Sequence, residues 1–421
     1  MPRHEHRSWP ADPTAQGPKK ERQAFSYLAF VPDPIAALNS SLSASTAAVI
    51  SAAERLVESL NRSPPQMPSL EVLARRLLRA ESVASSRIEG LELSQRRLAK
   101  AEAEGDTARD ETARSVLGNV LAMEEAVRLG AGAKRLRIRD VLALHRILML
   151  ATTTPQIAGK IRERQNWIGG NAYNPGRATF VPPPPELVPA LMDDLAEFLN
   201  RTDLPPVLQA AIAHAQFETI HPFADGNGRV GRALIHVVLR RRGLAPNFVP
   251  PVSLVLAADA RTYVAGLVAF QEKRLDEWSL IFARAMKRSA AKATELAERL
   301  GHLQEAWRER AGRPRRHSGA EALIQALPAH PIVTLSTVVE LLGRSKQAAN
   351  EAIALLARAG VLRTTTLALR NRAWETPELF DLVDAIEREL ATPDDHDEPR
   401  RPTPRPRTRP RPIRGTKTTR S

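Results

Sequence analysis

Twelve consecutive residues, His221-Pro222-Phe223-Ala224-Asp225-Gly226-Asn227-Gly228-Arg229-Val230-Gly231-Arg232, combine a titratable base, a metal-capable carboxylate, flexible backbone and two fixed cations. That is the equipment of a phosphate-handling site. Leu208 to Ile220 before it is Ala-rich and apolar at helical spacing, and Val230 to Arg241 restarts a helical pattern, so the glycines fall in a loop that opens onto a helix N-terminus. Such a terminus offers unsatisfied N–H groups and a positive dipole end, and glycines at 226 and 228 let an anion approach the backbone. Three cheaper patterns fail. Gly226-x-Gly228-x-x-Gly231 follows a helix rather than a strand and has no acid about 20 residues on, which excludes a dinucleotide fold. A calcium loop would require carboxylates where Phe223 and Leu234 stand. A Walker loop would require Lys then Ser or Thr where Arg229 and Val230 stand.

The stretch resembles the signature of the Fic family, His-Pro-Phe-x-(Asp/Glu)-Gly-Asn-Gly-Arg-x-x-Arg, with every specified position present. The resemblance extends over about Phe25 to Arg288, with a Fic-like module after it. Most members transfer AMP from ATP to a Ser, Thr or Tyr hydroxyl of a protein, so a nucleotidyltransferase that uses ATP and Mg²⁺ is implied. The residue types suit that chemistry. A hydroxyl is protonated at neutral pH, and His221 is the natural base. Asp225 can hold Mg²⁺, which usually takes only one or two protein carboxylates. Gly226, Asn227 and Gly228 would turn N–H donors onto the phosphates, in a loop segment that continues through Val230 and Gly231, while Arg229 and Arg232 supply charge that pH cannot remove. Phe223 and Pro222 are structural.

A second signal lies upstream at Ser85-Ser86-Arg87-Ile88-Glu89-Gly90, in a helical run from Leu70 to about Leu91. Alone, a Glu near a helix end is a solvated charge. The segment nevertheless resembles the family's inhibitory pattern, (Ser/Thr)-x-x-x-Glu-(Gly/Asn), as Ser85, Glu89 and Gly90. The role implied is a brake: a carboxylate that pairs with Arg232 and leaves ATP misaligned. Between the two motifs, short β-prone runs around Trp167 and Thr179 to Val181 flank Gly, Asn and Pro punctuation and predict a hairpin. In Fic proteins the corresponding flap aligns the target segment through backbone bonds. Tyr263 resembles a position that borders the nucleotide base, but a partly buried core Tyr fits it as well.

Few aromatics, abundant Ala, Leu, Arg and Glu, and mostly 3.6-residue periodicity make the 421-residue chain mainly α. The resemblance adds a Fic-type helical core, a small β-hairpin flap and a winged-helix-like C-terminal domain. The absence of cysteine excludes disulfides and thiolate chemistry and fits a cytoplasmic location. No apolar run of about 18 residues suggests a membrane span. Of the net charge of +14, the Arg/Pro/Thr tail from Arg400 to Ser421 supplies nine, from eight Arg and one Lys without an acid. Such a composition cannot bury a core.

The expected boundaries are a disordered 1–22, an N-terminal helical region with the inhibitory helix at 23–110, a Fic core at 111–290, a helical linker at 291–315, the winged-helix-like domain at 316–390 and a disordered basic tail at 391–421. Within the domain at 316–390, three helices (Glu321 to Leu327, Leu335 to Leu342, Ser345 to Ala359) precede a hairpin of Val361 to Leu369 with Asn371 to Glu375. Lys346, Gln347 and Asn350 start the recognition-like helix, and Arg370 and Arg372 would sit at the wing. Arg316 to Glu389 has eight basic and nine acidic residues, poor footing for DNA, so DNA and protein partners stay open, as does a homodimer. Two rival functions also stay open: removal of AMP from a modified protein at the same site, and a DNA-binding regulator with the Fic region as a nucleotide sensor.

Overall fold

The computed structural model describes residues 2–14, 18–62, 70–105, 109–132, 134–171, 174–367 and 372–391. Ala172, Tyr173, Arg370 and the basic tail beyond 391 lie outside the described residues. The chain begins with β1 (Arg3–Trp9) antiparallel to β2 (Phe25–Val31), paired in register from Arg3 with Val31 to Trp9 with Phe25. An ordered strand over 3–9 corrects the expectation of disorder at 1–22. The sequence RHEHRSW hid it, because its polar and aromatic residues show no apolar alternation of their own and the regular apolar face belongs to its partner.

Helices then dominate, as composition predicts. The first group is α1 (Ala44–Arg62), α2 (Leu70–Ile88), α3 (Gln95–Glu104), α4 (Glu111–Ala131) and α5 (Ile138–Leu150). After the flap come α6 (Val188–Leu199), α7 (Pro206–Ile220), α8 (Asn227–Arg241), α9 (Val252–Ala258), α10 (Ala260–Gln271) and α11 (Leu275–Arg310). α7 and α8 form the centre. Nearly every residue of α7 is buried, polar Gln209, His214, Gln216 and Thr219 included, so it shows no amphipathic stripe. Among the described residues no single helix is long and apolar enough to cross a membrane.

α4 approaches α8 closely because of a glycine. A Cβ on Gly130 would lie 2.7 Å from both the Val237 carbonyl oxygen and Arg240 Cβ. Gly130→Ala therefore sets about 1 kcal/mol of helix propensity against an overpacking cost of about 1–3 kcal/mol. The expected outcome is a net loss near 1 kcal/mol, read as a lower urea midpoint with an unchanged slope.

The C-terminal module consists of α12 (Gly319–Ala326), β3 (Ile332–Thr334), α13 (Leu335–Leu342), α14 (Lys346–Arg358), β4 (Arg363–Thr366), β5 (Arg372–Glu375) and α15 (Pro377–Ala391). Its sheet runs β3-β5-β4, with both pairs antiparallel. Ser345 caps α14 by accepting from the Ala348 amide, and Gly343 stops α13 in the left-handed region. Lys346, Gln347 and Asn350 are exposed. The sequence reading lacked β3, three residues between helices and too short to show a period, and it lacked α15. α11 runs unbroken across the expected linker, and residues up to Ala391 form one compact unit.

Candidate active site

α7 ends at His221, which adopts a left-handed conformation (φ 50°, ψ 59°) while its amide still donates to the Phe217 carbonyl. A histidine there, directly before a proline, is strained by roughly 1–3 kcal/mol. The surroundings hold it. Arg162 donates from Nε to the His221 carbonyl at 2.9 Å and from Nη2 to the Pro183 carbonyl, and its amide donates to the Pro222 carbonyl. Asn166 Nδ2 donates to the Phe223 carbonyl at 2.9 Å. The Glu218 carbonyl lies 3.3 Å from His221 Nδ1 and can only accept, so Nδ1 carries the proton and Nε2 keeps its lone pair. Burial pushes this imidazole down to about 4, which leaves it neutral at physiological pH.

The loop closes on itself before α8 begins. Asn227 brackets Phe223, its Oδ1 accepting from the Phe223 amide and its Nδ2 donating to the Phe223 carbonyl, each at 2.8 Å. The expected donor onto phosphate thus has a side chain that braces the loop. Phe223 is fully buried and stacks on His145 at 3.7 Å. His145 Nδ1 accepts from the Gly159 amide, so its Nε2 donates to the Asp225 carbonyl at 3.0 Å. Gly226, at φ 80°, supplies the left-handed turn into α8. Val230 and Gly231 are buried in the first turns of that helix.

At the mouth, Asp225 is 59% exposed, with Oδ1 accepting from the Gly226 amide and Oδ2 3.9 Å from Arg229 Nη2. A single open carboxylate is a donor set that fits a Mg²⁺ ion, which usually takes only one or two protein carboxylates. Among the described residues no group of three His, Asp or Glu could form an all-protein metal cage. Arg229 is buried and donates to Ser115 Oγ at 3.0 Å, while its Nε has no partner.

One of the chain's own carboxylates lies against the start of α8. Glu89, just after α2, directs Oε1 onto the first turn of α8, where a Cβ on Gly228 would collide with it. Arg232 donates from Nη2 to that oxygen at 2.8 Å, and from Nε to Ser85 Oγ and Nη2 to the Ser85 carbonyl. Burial would raise the Glu89 carboxyl, but Arg232, Arg229 and His221 outweigh it and hold it below its ordinary range. Gly90 turns the chain away at φ 79°. Ser85, Glu89 and Gly90 thus meet Gly228 and Arg232 across two helices far apart in sequence.

One turn further, Glu81 receives His236 Nε2 at 2.9 Å and both the amide and hydroxyl of Ser253 at 2.8 and 2.5 Å. Residues 81, 85 and 89 of the α2 segment therefore step along 236, 232 and 228 of α8 in antiparallel register. Sequence reasoning missed Glu81, His236 and His145, polar residues whose burial depends on how their helices pack. It also missed Glu218, whose carboxyl burial pushes up to about 8, a rise that Arg232 opposes and Glu89 reinforces. A polar residue three before His221, inside a wholly buried helix, was the available signal.

Tyr263 lies in the core rather than on an open wall. It is 4% exposed and shares a 2.8 Å hydrogen bond with His214 Nε2. The flap is less regular than expected: Ile168 and Phe180 form a single antiparallel bridge, with Gly169 and Gly170 both at positive φ. Glycines and Pro182 to Pro185 leave little backbone able to extend the ladder. Trp167 Nε1 donates to the Asn171 carbonyl, and its ring meets Trp9 of β1 edge-on.

Residues 135–239 match the Fic/DOC family and residues 47–128 match the Fic/DOC family N-terminal region. A protein adenylyltransferase Fic of Drosophila willistoni is 33% identical over 173 residues, covering 38% of this chain and 33% of its own. The protein adenylyltransferase fic-1 of Caenorhabditis briggsae is 34% identical over 159 residues, covering 36% and 28%. The chain thus spans about a third of the length of these relatives. Among solved structures, a Fic family protein from Desulfovibrio desulfuricans is 21% identical with a TM-score of 0.49, covering 80% of this chain and 97% of that one.

Proposed function

We propose that this chain, whose residues 47–128 and 135–239 belong to the Fic/DOC family, is a protein adenylyltransferase restrained by its own Glu89. One observation carries the reading. A carboxylate sits over the first turn of α8, paired with the buried Arg232 and lowered also by the buried Arg229, so the site accepts an oxyanion, and its occupant is tethered to the chain.

When AMP is transferred, the target hydroxyl gives its proton to His221 Nε2 as its oxygen bonds to the α-phosphorus. The bond from that phosphorus to the bridging oxygen breaks, and pyrophosphate leaves. The Nδ1 hydrogen bond to the Glu218 carbonyl holds the tautomer that this step needs. The free first-turn amides of α8, with Arg229 and Arg232, hold phosphate oxygens in place of Glu89. Asp225 would hold Mg²⁺, which supplies charge neutralisation on the departing phosphates. The target would dock on the flap near Trp167 to Val181. The chain's homologues named adenylyltransferases support ATP as the donor.

The test uses Glu89→Gly protein with Mg²⁺ and either α- or γ-labelled ATP. Covalent label from the α position alone is expected. Retention of γ label would replace the reading with a kinase, and no label from either would remove it.

A further inference from the structure

The polar face of α2 lies on α8, and part of its apolar surface reaches the C-terminal module. Leu73, Leu77 and Ala84 share one buried cluster with Trp374 of β5 and Ile386 of α15, whereas His221's loop and α7–α8 pack in a separate cluster. The helix that delivers Glu89 therefore packs on the core through α4, α8 and α9 and also touches the C-terminal module. Its last turn is also gripped from that side. Glu387 on α15 receives Arg87 Nη2 at 2.7 Å through one carboxylate oxygen and Gln95 Nε2 at 3.3 Å through the other. Those two residues bracket the Glu89–Gly90 turn, one on each side.

We infer that Glu387 is a positioning residue for the inhibitory turn: by clamping Arg87 and Gln95 it keeps Glu89 on its seat, and the C-terminal module thereby sets whether the nucleotide site is closed. This rests on the brake reading above. α15 is in turn tied to α11, where Lys292 and Arg299 both hold Glu389. A second observation concerns a buried cation in the field of the same glutamate. Arg76, three turns before Arg87 on the same face of α2, is 2% exposed, and its Nε and Nη2 have no hydrogen-bond partner. Burial depresses this guanidinium to about 10, the neighbouring Arg79 adding to the fall while Glu102, Glu387 and Asp384 counter it. A buried cation with unmet donors opposes closure of the surface that holds it.

The test compares the full chain with Glu387→Arg, Arg87→Glu and the double variant, with Glu89→Gly as control. Each sample is read twice, by self-labelling from α-labelled ATP and by amide hydrogen exchange over residues 85–95. A half-exposed ion pair turned to like charge changes an equilibrium by roughly fivefold. Each single variant is expected to label about fivefold faster and to exchange faster at 85–95, and the double, which restores opposite charges, to return within about twofold of the parent. Unchanged exchange in both singles overturns the clamp. Faster exchange without faster labelling, with Glu89→Gly fast, overturns its control of the brake. Faster exchange with no gain from Glu89→Gly keeps the clamp and removes the brake instead.

Discussion

Replacing His221 with alanine is expected to lower AMP transfer on the order of a thousandfold, measured as incorporation of α-label in the Glu89→Gly background. A positioned base contributes typically ~10²–10⁴ to a proton-transfer step. Nothing nearby can substitute for it. His214 and His145 are fully buried and already committed to Tyr263 and Asp225, and the Glu218 carboxyl is held protonated by its burial up to about 8. Nucleotide binding should survive, because the α8 amides and Arg232 remain. The pH profile is a second reading of the same assignment. The neutral imidazole is the active form, and its depressed value keeps it neutral down to about pH 4. The acid limb of kcat/KM should therefore fall well below the ordinary histidine value of about 6.5. A limb at 6.5, or a His221→Ala protein as fast as its parent, would refute the assignment.

Glu89→Gly should act in the opposite direction and raise self-modification by about ten- to a hundredfold. Charge-assisted hydrogen bonds of this kind contribute about 1.5–3 kcal/mol, and each 1.4 kcal/mol is a factor of ten. The side chain is 33% exposed, so the lower half of that range applies better to the ion pair alone. Repulsion between the carboxylate and an incoming phosphate adds to it. Stability should move the other way. Arg232, 1% exposed, loses its ion-pair partner Glu89 while its contacts to Ser85 remain, and an uncompensated buried charge is costly. The variant should melt at a lower temperature than its parent without ligand and gain more from ATP. Equal labelling rates would end the brake reading, and a variant that melts like its parent without ATP would mean that Arg232 is satisfied without Glu89.

The site was legible where it is local. His221 to Arg232 is one loop and the start of one helix, so spacing alone placed base, carboxylate and cations together. Glu89 was named only through resemblance. What the sequence could not show is the antiparallel step of 81, 85 and 89 along 236, 232 and 228, because it depends on where two helices cross. Nor could it show that Asn227 braces the loop with its side chain, or that His145 supports Phe223 from the far side. Among the elements, α14 was readable because Ser345 and Gly360 mark its ends by local bonding. β1 was not, because its order comes from β2.

The length of α11 sets a limit on how this chain can vary. Its 36 residues form an uninterrupted rod of roughly 54 Å, anchored on α1 near its start and on α12 and α15 farther along. A single residue inserted midway would turn everything downstream by about 100° and advance it by about 1.5 Å. Lys292 and Arg299 could not then both face Glu389. The rod tolerates exchange of residues on its surface but not a change in their number, so natural variants of this architecture should differ in loop length everywhere except there.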